Sequence, residues 1–550
     1  MTLANDISRG PASNDLERQR WDAVIIGTGI GGATIGHALA RAGKRVLFFE
    51  RGRYRRTAGN ATLGRYPEES RSDARPPSGN DLLRAGRCDF EITDTSKRNE
   101  RRFVPFIGCG VGGSSALYGM ALERLFPIDF TPRVAHPDAS GTSLEEEWPI
   151  SYAALEPYYT AAESLYRVRG GVDASRPLDD QPRHLLPPPP LSNIGVDVSE
   201  FLRTRGMHPY RLPQACEFVV GCNGCQGFLC EFACKNDAER VCLTAALRDH
   251  GASLLDECEV LRIEAGARRA EHVVCARAGR QFHVSADTII VAAGALQTPK
   301  LLLGSHNEYW PNGLANRSGR VGRNLMRHLI DLYCVEPIAS AMALDNRFKE
   351  VAFNDFYHCA DGKFGSVQSF GRLPPAQVLF GSMRDDLRHG PLHWLAPALS
   401  VGRGLVMPTL RKMVEGRIVL ASIVEDLPQM DNRVVPGAHP GSIRIEYRLT
   451  TRERARIVHM RRLLAEVLGP RRPRLIKQAE NNQRIAHACG TCRFGTDPAT
   501  SVLDRNNKAH DLDNLFVVDS SFFPTSGGTN PGLTIAANAL RVADRILAAT

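Results

Sequence analysis

The chain has 550 residues, 43% hydrophobic and 23% charged, with a net charge of +9. That length exceeds the roughly 250–300 residues at which one hydrophobic core stops growing, so two or more lobes are expected. The polar start Met1–Arg20 lacks an apolar h-region and no run of ~20 apolar residues follows, which argues against a secretory signal or an integral membrane span and for a cytoplasmic protein.

Residues 1–20 read as a flexible start. Trp21–Ile26 reads as a buried strand, Gly27-Thr-Gly-Ile-Gly-Gly32 as a turn, Ala33–Ala42 as a helix and Arg45–Glu50 as a second strand. In such a strand–turn–helix–strand unit Gly27 permits the turn, Gly29 lets backbone approach a pyrophosphate, and Gly32 lets helix and strand pack closely. The helix start offers free N–H groups and partial positive charge to phosphates. Glu50 ends the second strand, 18 positions after Gly32, where a carboxylate can accept from ribose hydroxyls. The unit alone does not decide between NAD and FAD.

Arg51–Arg56 is a short basic cluster without aromatic interleaving, so it reads as a solvated face and no nucleic-acid partner is expected. Residues 55–100 are polar and Arg-rich and read as an excursion or lid. Gly108–Met120 is rich in Gly and Ser; Trp148–Arg167 reads as a helix, and Pro187–Pro190 as an extended linker. Cys216, Cys222, Cys225, Cys230, Cys234 and Cys242 follow within one short segment. Strand-like runs at 252–263 and 271–293 end at Gly294. Residues 330–480 are mixed, with strands at Ile418–Val424 and Ile443–Leu449. The apolar stretch Leu392–Met413, interrupted by Arg403 and two prolines, reads as core; a pocket mouth or a membrane-surface contact is the alternative. Leu515–Asp519 reads as a strand and Leu533–Leu547 as a helix.

Four separated motifs resemble the glucose–methanol–choline (GMC) oxidoreductase family: the Gly27–Gly32 unit, Gly110–Tyr118, Gly294–Leu303, and the C-terminal block of His487–Gly495, Val517–Ser521, Pro524 and Asn530–Thr534. Two departures stand out. The family's second signature closes on Ser305-His-Asn-Glu308 instead of Ser-Gly-Ile-Gly, and Tyr118 replaces the usual Asn or His. A covalent flavin link from that loop needs a His, so noncovalent FAD is expected.

The resemblance implies FAD contacts from Gly27, Gly29, Ile30, Gly31, Gly32, Glu50 and Arg51, and from Gly112, Gly113, Ser114, Ser115 and Tyr118. It adds Val260, Ala293, Asp519, Ser520, Pro531 and Thr534. It also implies a catalytic pair, His487 and Asn530, 43 residues apart. Alcohol oxidation needs a base for the hydroxyl proton, and imidazole suits it. An amide can hold the substrate oxygen without competing for that proton. Asn530 is also suited to cap the following helix, and Asp519 to cap the turn at Ser520.

Cys222-x2-Cys225-x4-Cys230-x3-Cys234 has thiolate spacing able to hold zinc or an iron–sulfur cluster. Its second half is similar to the cluster segment of some multi-subunit sugar dehydrogenases of this family. Structural zinc, a disulfide and packed free thiols are the other readings. Cys489 and Cys492 read as packed in the catalytic loop.

The expected fold is α/β. A discontinuous Rossmann-like FAD lobe (21–149, 243–330, 481–550) faces an α+β substrate lobe (150–242 with the cysteine segment, 331–480), in the GMC manner. The expected activity is FAD-dependent oxidation of a primary or secondary alcohol or sugar hydroxyl, with O2 or another electron carrier as acceptor. A non-redox lyase of the hydroxynitrile lyase type with structural FAD is the alternative, and an NAD-linked dehydrogenase the third.

Overall fold

The computed structural model describes residues 17, 19–54, 59–69, 77–97, 100–336, 347–388, 393–414, 417–439, 441–482 and 485–549. The expected flexible start thus lies almost wholly outside the described residues. The first lobe is built on a seven-stranded sheet. Ser253–Leu255, Val46–Phe49 and Arg20–Ile26 run parallel at one side. The long strand Arg280–Val291 is shared: its first half pairs antiparallel with Ala270–Arg277. Its second half runs parallel between Arg20–Ile26 and Leu515–Val517. Near-continuous apolar runs such as Val46–Phe49 fit this position, because helices and loops cover both faces.

The helix Ile30–Arg41 crosses back over the sheet, with buried Gly and Ala along its inner face. A Cβ on Gly36 would lie 2.2 Å from the Phe48 ring, so only glycine permits this approach. The helices Tyr152–Leu165 and Gly532–Ala549 pack against one another, and the latter also against Ile30–Arg41. Ser151 caps the former through its hydroxyl, which accepts from Ala154 N at 3.2 Å.

The second lobe carries a six-stranded sheet in the order Arg474–Lys477, Leu329–Val335, Ile418–Val424, Val367–Ser369, Val351–Phe353 and Tyr210–Arg211. Its pairings are antiparallel. The apolar faces of Asn193–Thr204 and Thr451–Leu468 bury against it in a second core.

Two expectations change. The 55–100 stretch is not only an excursion: Ile92–Asp94 pairs with Ile443–Glu446 and with Arg101–Phe103, stitching the first segment to a later one in a small four-stranded sheet. The described part of the apolar stretch, 393–410, lies largely at the surface rather than in the core. It forms surface helices Ala396–Val401 and Arg403–Val414, with Trp394, Val401 and Leu405 65%, 89% and 82% exposed. Pro and Gly interrupt it too often for one continuous apolar face to form.

Candidate active site

The first parallel strand delivers the chain into the glycine turn. Gly27 has φ +100°, and a Cβ there would sit 2.5 Å from Ala292 O. A Cβ on Gly32 would sit 2.1 Å from Gly27 O, and one on Gly31 2.2 Å from Val518 O. Around Gly29, by contrast, the space is open for 4 Å. Gly29 also caps the helix that begins at Ile30 without any side-chain cap. First-turn N–H groups beside open space make a cradle for a pyrophosphate, so the residues present fit a dinucleotide.

Glu50 lies at the end of the second strand as expected. Its Oε2 accepts from Thr28 Oγ1 at 2.7 Å, and its Oε1 from Gly52 N at 2.9 Å and Gly110 N at 3.3 Å. It therefore ties the dinucleotide turn to the second glycine loop. Arg51 donates to Cys109 Sγ at 3.3 Å.

In that second loop Gly112 and Gly113 have positive φ, and a Cβ on Gly113 would lie 3.0 Å from Gly29 Cα. The two loops therefore touch. Ser115 Oγ donates to Gly112 O at 2.6 Å and accepts from Ala238 N at 3.0 Å. Ser114 is exposed, its Oγ accepting from Gly108 N at 3.2 Å. Tyr118 OH donates to Asn236 O at 2.6 Å. Val260 and Ala293 are half-buried on the strand Cys258–Ala265 and just after Val291.

Asp519 caps the turn, one of the two readings offered for it, and also holds the Gly294 loop. Its Oδ1 caps the turn by accepting from Ser521 N at 2.8 Å, while Oδ2 accepts from Gly294 N at 2.9 Å and Thr298 Oγ1 at 2.5 Å. Burial raises its carboxyl above the usual range. Ser520 Oγ donates to Ala488 O at 2.7 Å. Pro531 is buried at the mouth of the C-terminal helix. The Thr534 hydroxyl points away from the cradle, to Tyr159 OH at 2.8 Å.

His487 has φ +59°, a left-handed conformation that costs a non-glycine residue about 1–3 kcal/mol and that clusters at functional sites. Its Nδ1 lies 2.8 Å from His328 Nδ1. His328 Nε2 lies 3.0 Å from both Ser526 O and Gly527 O. Carbonyls only accept, so Nε2 of His328 carries a proton. Burial lowers the pKa of both rings, and in His487 the neighbouring His328 and the Lys349 ammonium lower it further. With both rings neutral, His328 Nδ1 accepts and His487 Nδ1 donates. The lone pair of His487 is left on Nε2, which has no partner among the described residues.

Asn530 ends a loop in which every anchor is visible. Trp148 Nε1 donates to Thr525 Oγ1 at 3.1 Å, His328 holds the carbonyls of 526 and 527, and Gly528 N donates to Tyr357 OH at 3.0 Å. Thr529 Oγ1 donates to Glu123 Oε2 at 2.6 Å. Gln368 Nε2 donates to Asn530 Oδ1 at 2.7 Å, which leaves the amide hydrogens of Asn530 for a ligand. The same histidine thus contacts both the His487 ring and the loop that carries Asn530. His328, Gln368 and Tyr357 escaped sequence reading, because nothing local sets His328 apart from the other fifteen histidines.

Lys349 is a further residue the sequence did not single out. It lies deep in the protein yet keeps partial exposure, and desolvation brings its ammonium down to about 8.

The cysteine segment packs directly behind the second loop, in a cluster with Met120, Tyr118, Phe218 and Phe348. All fourteen cysteines are free thiols. Cys222 Sγ lies 3.1 Å from Cys234 Sγ and 4.0 Å from Cys216 Sγ, with Cys230 Sγ 3.5 Å from Cys234 Sγ. The trio within 4.8 Å of one another is Cys216, Cys222 and Cys234. Of the expected set of Cys222, Cys225, Cys230 and Cys234, the trio keeps Cys222 and Cys234: Cys216 joins, because the chain doubles back and pairs it with Lys235, and both Cys225 and Cys230 lie outside it. Cys489 and Cys492 are buried in the segment that follows His487, as expected.

Residues 212–330 and 429–539 match the two models for GMC oxidoreductases, and residues 25–76 match a NAD(P)-binding Rossmann-like domain. The chain is 30% identical to paromamine 6'-oxidase of Streptomyces fradiae, over 98% of this chain and 94% of that enzyme. It is 26% identical to 2-methyl-1,2-propanediol dehydrogenase of Mycolicibacterium austroafricanum (96% and 95%). It is 27% identical to the fructose dehydrogenase large subunit of Gluconobacter japonicus (96% and 97%). The solved pyridoxine 4-oxidase from Mesorbium loti shares the fold, with a TM-score of 0.63 at 19% identity over 96% of this chain and 99% of that one. No helix among the described residues is long and apolar enough to cross a membrane.

Proposed function

The chain belongs to the GMC oxidoreductase family, an FAD-dependent oxidoreductase acting on CH–OH donors, and we propose that His487 is its base and Asn530 its substrate-oxygen donor. The relatives are named as oxidases and dehydrogenases of paromamine, a propanediol and fructose, which supports an alcohol or sugar hydroxyl as the reacting group. The observation that carries the assignment is the tautomer of His487, fixed by His328 so that an unpartnered Nε2 lone pair is available.

The cofactor would be held by the Gly27–Gly32 turn, the Gly112–Tyr118 loop and the Asp519–Thr534 region. When bound, FAD supplies the hydride acceptor. The chain's own residues do the rest. Asn530 holds the alcohol oxygen through its amide hydrogens. His487 Nε2 takes the hydroxyl proton as charge builds on that oxygen, and its Nδ1–H stays on His328. Positive potential at the start of the helix Gly532–Ala549 favours negative charge nearby.

Anaerobic addition of an alcohol that reduces the wild-type flavin is the test. His487→Ala should slow that reduction by about 10²–10⁴-fold while the protein stays yellow. Undiminished reduction would overturn the role. A lyase with structural FAD predicts instead that no alcohol bleaches the flavin while cyanohydrin is cleaved.

For the thiols we propose one thiolate-bound ion at Cys216, Cys222 and Cys234, in place of an iron–sulfur cluster. Zinc–sulfur bonds of ~2.3 Å place tetrahedral ligands about 3.8 Å apart. The trio's sulfur separations, 3.1 and 4.0 Å with all three atoms within 4.8 Å of one another, lie near that spacing, whereas the sulfides of a cluster would push the thiolates further apart. Metal analysis of purified protein should find one zinc and no iron; metal-free protein would reduce the site to packed thiols.

A further inference from the structure

A lysine deep in a protein normally has a carboxylate beside it, because an isolated buried ammonium is costly. Lys349 has neither an ion pair nor a hydrogen bond among the described residues; its recorded neighbour is the Phe370 ring, 5.6 Å from Nζ. Its side chain is only half-buried, so it is not sealed in the core.

Two observations place that side chain beside the candidate active site. The ammonium acts on His487, lowering its proton affinity. A Cβ on Gly119, the residue after Tyr118 in the second glycine loop, would lie 2.5 Å from Lys349 Cε and 2.6 Å from Gln226 Oε1, so both side chains converge over that loop.

We propose that Lys349, with Gln226 beside it, is an anion subsite, and that the substrate is an alcohol carrying a carboxylate near its carbinol. The inference rests on the alcohol-oxidising reading of His487 and Asn530 but stands on different residues. The substrate anion supplies the counter-charge that the protein withholds. It also discriminates against cationic alcohols, which would face an ammonium in partly desolvated surroundings.

The holoenzyme tests it in two ways. Benzoate, which has no alcohol, should perturb the visible flavin spectrum saturably. Its dissociation constant should rise at least tenfold in Lys349→Met and recover in Lys349→Arg. In anaerobic flavin reduction, the preference for 4-(hydroxymethyl)benzoate over benzyl alcohol should fall at least tenfold in Lys349→Met. An unchanged preference together with unchanged benzoate affinity would overturn the subsite. So would a shift of the flavin spectrum and potential in Lys349→Met that leaves both intact, since the lysine would then serve the cofactor. Lysine-dependent benzoate binding without reduction by any alcohol would instead sink the oxidation reading and leave the subsite standing.

Discussion

An imidazole works as a base only through the nitrogen whose lone pair is free, and here a second ring decides which nitrogen that is. His328 is locked by two backbone carbonyls and passes its orientation to His487. His328→Ala should therefore lower kcat by about 10²-fold with FAD still bound, as measured by rapid-reaction flavin reduction. The pH dependence follows from the same contacts. Burial, His328 and Lys349 all hold the pKa of His487 down, so the base is already neutral well below the usual histidine range. kcat/KM should be flat through neutrality and fall only on the acid side. Removing the positive charge in Lys349→Met should move that acid limb to higher pH; an unmoved limb would separate the two groups electrostatically.

Two short elements carry the chemistry, and each is rigid for its own reason. The dinucleotide turn is sterically sealed: a methyl group at position 32 would meet Gly27 O at 2.1 Å. Gly32→Ala should yield colourless protein by absorbance, with the fold otherwise intact by circular dichroism. The loop from Thr525 to Asn530 is instead held by hydrogen bonds. Tyr357 OH donates to Asp129 Oδ2 at 2.6 Å while accepting from Gly528 N. Tyr357→Phe strands both buried partners, which costs about 1–3 kcal/mol each in unfolding experiments. It should also lower kcat by displacing Asn530, with flavin content unchanged.

At the scale of the molecule, the lobes meet on charge. Lys363, fully buried, pairs with Asp129 and with Glu425, the latter at 2.5 Å, and His136 Nε2 lies 2.8 Å from Glu425 Oε2. Lys363→Met would leave two carboxylates uncompensated and should destabilise by about 3–5 kcal/mol in denaturant titration. Glu217 ties the cysteine segment to Arg167, Arg169 and Asn236, and the Arg167 contact chiefly lowers its carboxyl to about 2. Because the folded pKa is depressed, its contribution is present above about 4.5 and is lost as pH falls towards 2. Glu217→Gln should remove that part of the acid-induced loss of Tm. The sequence by itself determined the family and the glycine turn with Glu50 at the end of the second strand, and it pointed to His487 and Asn530 as candidates, since those depend on short motifs whose spacing is set by local backbone geometry. It also anticipated a cluster of thiols, of which Cys222 and Cys234 meet with Cys216, and it placed an exposed helical stretch in the core. His328, Gln368 and Lys349 were decided only by the tertiary structure. Their partners lie 159, 162 and 21 positions away by sequence number, and a side chain's protonation, tautomer or missing counter-ion is a property of what surrounds it in space.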